Sequence, residues 1–146
     1  WLFVLAGVGP GWAQTDPELA ADVNGNRARI EQAGQDMEAL LWQSGGGNQL
    51  HVVQVGLSNS ARVYQNGNGN QAAIAQDGTD NEAEIRQNGD GNVAGIHERG
   101  EGLRASIQQT GNHNFYQIDL VGPQTAPIRV MQYGDYAPAV LISPMP

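Results

Sequence analysis

The chain has no cysteine, which excludes a disulfide framework and any thiolate metal site. Large side chains are also scarce, with two Phe in 146 residues and aromatics at 6%. The apolar fraction is made up substantially of Ala and Val, so any core must be thin. Basic residues are few: seven Lys and Arg against fifteen Asp and Glu give a formal net charge of −8 and a pI near 4.6. A surface of that sign repels phosphate backbones and anionic lipid, so nucleic acid is not expected among the partners. Mean hydropathy is −0.41. The one apolar run, Trp1 to Val8, is far short of the roughly 20 residues a span requires, so no transmembrane span is expected in the mature chain.

That short run is followed by Gly9-Pro10-Gly11-Trp12-Ala13-Gln14, which reads as the end of a signal peptide cut after Ala13, with Gly11 and Ala13 as the small residues. No initiator Met or basic segment precedes Trp1, so the chain reads as truncated at its start. The expected outcome is export, with residues 1–13 removed and an acidic, Ala-rich leader at 14–25.

What the sequence has in abundance is glycine, twenty in all, and nine of them keep step. Gly34, Gly45, Gly56, Gly67, Gly78, Gly89, Gly100, Gly111 and Gly122 follow one another at a constant spacing of eleven. An internal period of this kind marks a repeat architecture. Each glycine closes the phrase Asn-x-Ala-x-Ile-x-Gln-x-Gly, written in full at Asn70–Gly78 and Asn81–Gly89. The defining residues alternate with mostly polar ones, the period-two signature of a strand with one face inward. Glycine with Asn, Asp or Ser at the joints supplies the positive-φ residues of tight turns.

A strand of about seven residues and a turn of about four make one edge of a flattened coil, and two phrases close it. The sequence therefore predicts an all-β, parallel β-solenoid of 11-residue strand-turn units, 22 residues per coil and about five coils, over residues 26–134. Phrases two apart then stack in register. One side aligns Asn26, Asn48, Asn70, Asn92 and Asn114 with Ile30, Val52, Ile74, Ile96 and Ile118, and with Gln32, Gln54 and Gln76. The other aligns the alanines with Gln43, Gln65, Gln87 and Gln109. Small Ala lets the sheets approach, and stacked amides can bond to identical neighbours about 4.8 Å away. The expectation is a self-assembly ladder, because a solenoid leaves open strand edges and nothing obvious in the sequence caps both ends.

Glu98 stands where Gln32, Gln54 and Gln76 stand on the same side, with Leu120 beyond it. A carboxylate accepts hydrogen bonds but cannot donate one onward, so Glu98 is expected to act as a brake on assembly.

The phrase Gln-x-Gly-x-x-Asn-x-Ala-x-Ile-x-Gln, as at Gln65 to Gln76, resembles the curlin repeat of bacterial curli fibres, and the resemblance runs from Asn26 to about Gly134. It implies an extracellular amyloid subunit, exported through an outer-membrane curli secretion pore with periplasmic accessory proteins. It also implies a homo-polymer joined to a partner curlin subunit, serving biofilm matrix and adhesion. Ile128-Arg-Val130-Met-Gln132-Tyr-Gly134 is one residue off the eleven-residue grid and resembles the terminal phrase of the minor, nucleating subunit more than the major one. The tail at 135–146 is apolar and Pro-rich rather than basic.

Other readings predict other features. Catalysis would need a converging constellation, whereas His51, His97 and His113 fall at outward or turn positions, so the chain is not expected to be an enzyme or to hold a cofactor or metal. A calcium-binding β-roll would need a nine-residue period, although Asp77-Gly78 and Gly89-Asp90-Gly91 share its Gly/Asp turns. A monomeric secreted β-solenoid adhesin would carry its regular array outside, whereas here the outward positions are irregular.

Overall fold

A computed structural model describes residues 2–8, 14–123 and 126–142. The architecture is an all-β solenoid of about five coils with a 22-residue period. Its parallel strands are β3 (Asn26–Gln35), β4 (Met37–Ser44), β5 (Gln49–Leu57), β6 (Ser60–Asn66), β7 (Gln71–Thr79), β8 (Glu82–Asn88), β9 (Val93–Glu101), β10 (Arg104–Thr110), β11 (Phe115–Val121) and β12 (Ile128–Tyr133). Odd strands from β3 to β11 form one sheet and even strands from β4 to β12 the other. Every rung pairs residues 22 apart, Ile30 on Val52 on Ile74 on Ile96 on Ile118, except the last. There Ala105 pairs with Ile128, 23 residues on, which absorbs the residue by which that phrase leaves the grid.

The core is as thin as the composition requires. Ala28, Ala72 and Ala94 on one sheet and Ala39, Ala61, Ala83 and Ala105 on the other are buried, and the Ile/Val/Leu columns share one cluster with them. Burying each branched side chain contributes about 1.5–3 kcal/mol, and the alternating burial along β3 to β12 turns the charged residues outward, Glu98 excepted.

The expected strand of about seven residues holds for β6, β8, β10 and β11 but not for β5, β7 and β9, which are nine residues long. In these the ladder pairing runs through the glycine itself, Gly56 on Gly78 on Gly100. Each corner is then a tight arc in which the second residue after the glycine also has positive φ, as at Ser58 (55°), Asp80 (56°) and Gly91 (65°).

The expectation that the stack ends are uncapped is corrected. Three further strands lie antiparallel on its edges: β1 (Leu2–Val8) on β4, β2 (Gln14–Val23) on β3 and β13 (Val140–Ile142) on β12. Antiparallel pairing satisfies edge N–H and C=O groups without needing the repeat, which is why no repeat signal announces it. Of the parallel strands at the ends of the stack, only β11 has no strand beyond it among the described residues. The cut after Ala13 lies outside the described residues.

Candidate assembly site

Because side chains two apart share a face, each strand turns its Ala, Ile and Gln inward and leaves the Asn at the corner before it. Gln32, Gln54 and Gln76 form one buried column: Nε2 of Gln32 donates to Oε1 of Gln54 at 2.8 Å and Nε2 of Gln54 to Oε1 of Gln76 at 2.9 Å. Gln43, Gln65, Gln87 and Gln109 form the second with spacings of 2.7, 2.9 and 2.9 Å, and Gln109 passes its bond on to Gln132 at 2.8 Å. Most Nε2 groups also donate to a carbonyl sixteen residues earlier, as Gln76 does to Ser60 O and Gln87 to Gln71 O. Both protons of these Nε2 groups are used, so their burial leaves no donor unsatisfied.

The asparagines are bonded in the reverse sense. Oδ1 of Asn26 takes the backbone N–H and the Nδ2 of Asn48, Asn48 does the same for Asn70, and Asn70 for Asn92. Asn92 accepts the N–H of Asn114 at 3.1 Å. Nδ2 of Asn48, Asn70 and Asn92 also binds the carbonyls of Gly67, Gly89 and Gly111 at 2.8 Å. The side chain thus pins the corner that its own coil shares with the next.

Sequence reasoning missed a further set at the opposite corners. Asn59 and Asn81 are buried, with Asn81 N–H on Asn59 Oδ1 at 3.1 Å and Leu103 N–H on Asn81 Oδ1 at 3.0 Å. Their signal was available, eleven residues after Asn48 and Asn70, but Met37 and Leu103 interrupt the column at both ends. An exposed ladder was missed as well: Asn68, Asp90, Asn112 and Asp135 each take a backbone N–H from the corner before them.

The corner glycines have little room for a side chain. Gly78 has φ of 134°, and a Cβ there would fall inside the carbonyl of the stacked Gly100. The constraint is therefore contact with the next coil as well as backbone angle, where the sequence suggested angle alone.

Glu98 is fully buried. Its Oε2 accepts from Gln76 Nε2 at 2.8 Å, while its Oε1 is buried without a hydrogen-bond partner. By the sixteen-residue step of the other columns, the carbonyl set against it is that of Glu82, which an unprotonated carboxylate cannot bond. Burial pushes its pKa up to about 7, the bond from Gln76 pulls it back, the charge of Glu82 raises it, and the Ala105 amide lowers it slightly. Leu120 lies beyond it and offers no polar group.

His51 and His97 sit on the outer face, near Glu31 and Asp119, and His113 sits in a corner stacked on Tyr136. Among the described residues no three His, Asp or Glu side chains converge in metal-binding geometry, and no helix is long and apolar enough to cross a membrane.

The family model described as the curlin associated repeat matches residues 56–87 and again 78–119. Residues 56–119 are curlin associated repeats. Curlin repeats mark a curli-type structural subunit, and the family consists of self-assembling, extracellular amyloid subunits rather than enzymes. The two curlin matches overlap at 78–87 and cover the coils in which the Gln and Asn ladders are most regular. No curated protein and no solved structure matches the chain.

Proposed function

We propose that this chain polymerises end to end into an amyloid fibre at the bacterial cell surface, with the amide ladders and turn glycines as its assembly site. The observation that carries this reading is the polarity of the glutamine columns. From Gln43 to Gln132 each amide donates to the coil after it, which leaves Oε1 of Gln43, on the first rung of its column, buried without a donor. A buried acceptor of this kind costs about 1–3 kcal/mol, which a preceding coil would recover. The last coil of another copy, ending its own column at Gln132, supplies the matching donor.

In this reading residues 1–13 are a signal peptide cut after Ala13, 14–25 a leader, 26–134 the assembling solenoid and 135–146 a tail. Export runs through an outer-membrane pore with periplasmic accessory proteins, and the fibre serves biofilm matrix and adhesion. The off-grid phrase Ile128–Gly134 supports the nucleating role over the elongating one. Substoichiometric amounts added to the cognate major subunit test that role. A shortened lag in thioflavin fluorescence is expected, and an unchanged lag would assign the chain to elongation.

A further inference from the structure

The chain leaves the solenoid by filling the ladder ends of its last coil. Register continues through one more corner, where Asn112 N–H and Nδ2 donate to Asp135 Oδ1 at 2.8 and 3.0 Å and Tyr136 N–H donates to Asn112 O at 2.9 Å. Ala137 then stands where the next asparagine would. Its N–H donates to Asn114 Oδ1 at 2.7 Å, as Asn114 N–H does to Asn92. Its carbonyl accepts Nε2 of Gln132 at 2.7 Å, the donation that elsewhere in the column passes to the next glutamine.

Pro138 follows, at the start of what would be a sixth strand on that sheet. At the equivalent positions Arg27, Gln49, Gln71 and Val93 each donate a backbone N–H to the coil beyond, and proline has none to give. The chain instead crosses the end of the core, where Ala139 packs against the cluster, and β13 closes antiparallel on β12. An antiparallel strand satisfies that edge but cannot extend the parallel columns.

We propose that residues 137–142 are a plug, seated on the last coil in place of the first coil of a second copy, and that a copy joins at this face only after the plug is displaced. The inference rests on the reading that copies stack end to end. The occupant follows from the groups the plug satisfies. Asn114 Oδ1 and Gln132 Nε2 are the atoms that an incoming first coil would meet, the second with the donorless Gln43 Oε1, once β1 and β2 have left the edges of that coil. β11, alongside, has no strand beyond it among the described residues and gives that coil a place to land.

Tethering tests this. Met131 and Val140 lie directly opposite each other in the antiparallel pair, and the chain has no other thiol to compete. Opposed residues in such a pair stand about 4.5–5.5 Å apart at Cα, within disulfide reach. The double variant Met131→Cys/Val140→Cys should polymerise with a lag several-fold longer when oxidised, and reductant should restore it. Val140→Pro, which weakens β13 without changing charge, should shorten the lag. Equal polymerisation of oxidised and reduced protein, with normal fibres from both, would overturn the plug and leave the stacking reading intact. Absence of fibres from the unaltered chain as well would overturn stacking and the plug together.

Discussion

At the scale of single residues, Glu98 and Gly78 make opposite demands on their surroundings. Glu98 has a folded pKa of about 7 against an ordinary value of 4.5, so the coil holds a proton that the unfolded chain releases. Below pH 4.5 both states are protonated and the residue costs nothing. As pH rises from 4.5 to about 7 the penalty grows, reaching on the order of 3 kcal/mol, and it is constant above that. Glu98→Gln should therefore raise the urea midpoint at pH 8, leave it nearly unchanged at pH 4, and speed fibre formation at neutral pH. Glu84→Gln removes the same charge from the face where Glu84 pairs with Arg86. Equal acceleration by both would reduce the effect to net charge. Gly78 resists substitution because its Cβ would enter Gly100 O and its φ is positive. Gly78→Val should cost on the order of 4 kcal/mol in unfolding free energy, whereas Asp77→Val, exposed beside it, should cost under about 1. Similar midpoints for the two would misplace the corner.

The elements divide into those the sequence announces and those it does not. Strands β3 to β11 follow from the glycine spacing, because one strand and one arc repeat every eleven residues and stack every twenty-two. The inward Gln and Asn columns follow with them. The second asparagine pair did not, because Met37 and Leu103 break its column and two residues make no visible period. Strands β1, β2 and β13 were illegible for a different reason: they bind whatever edge the stack presents, and an edge exists only once the fold does. The missed pair has a measurable role. Asn81 accepts Leu103 N–H and donates to Gly100 O at 3.1 Å. Asn81→Ala should lower stability by about 2 kcal/mol through the buried groups left unpaired. Hydrogen exchange should show Leu103 and the Gly100 corner losing protection, and full retention there would assign the corner's stability to packing instead.

For the whole molecule, a fibre made of these coils differs from one in which the chain is rebuilt on polymerising. If the solenoid is the unit of growth, strands of one copy already occupy successive layers along the axis, and a new copy adds five layers at once. Mass per length of a single protofilament, read by dark-field electron microscopy, separates the two cases. Five coils at about 4.8 Å each give about 24 Å of fibre per copy. With a chain of 15.5 kDa, the account then predicts about 0.6 kDa per Å. A value near 3 kDa per Å, one copy per 4.8 Å layer, would contradict it.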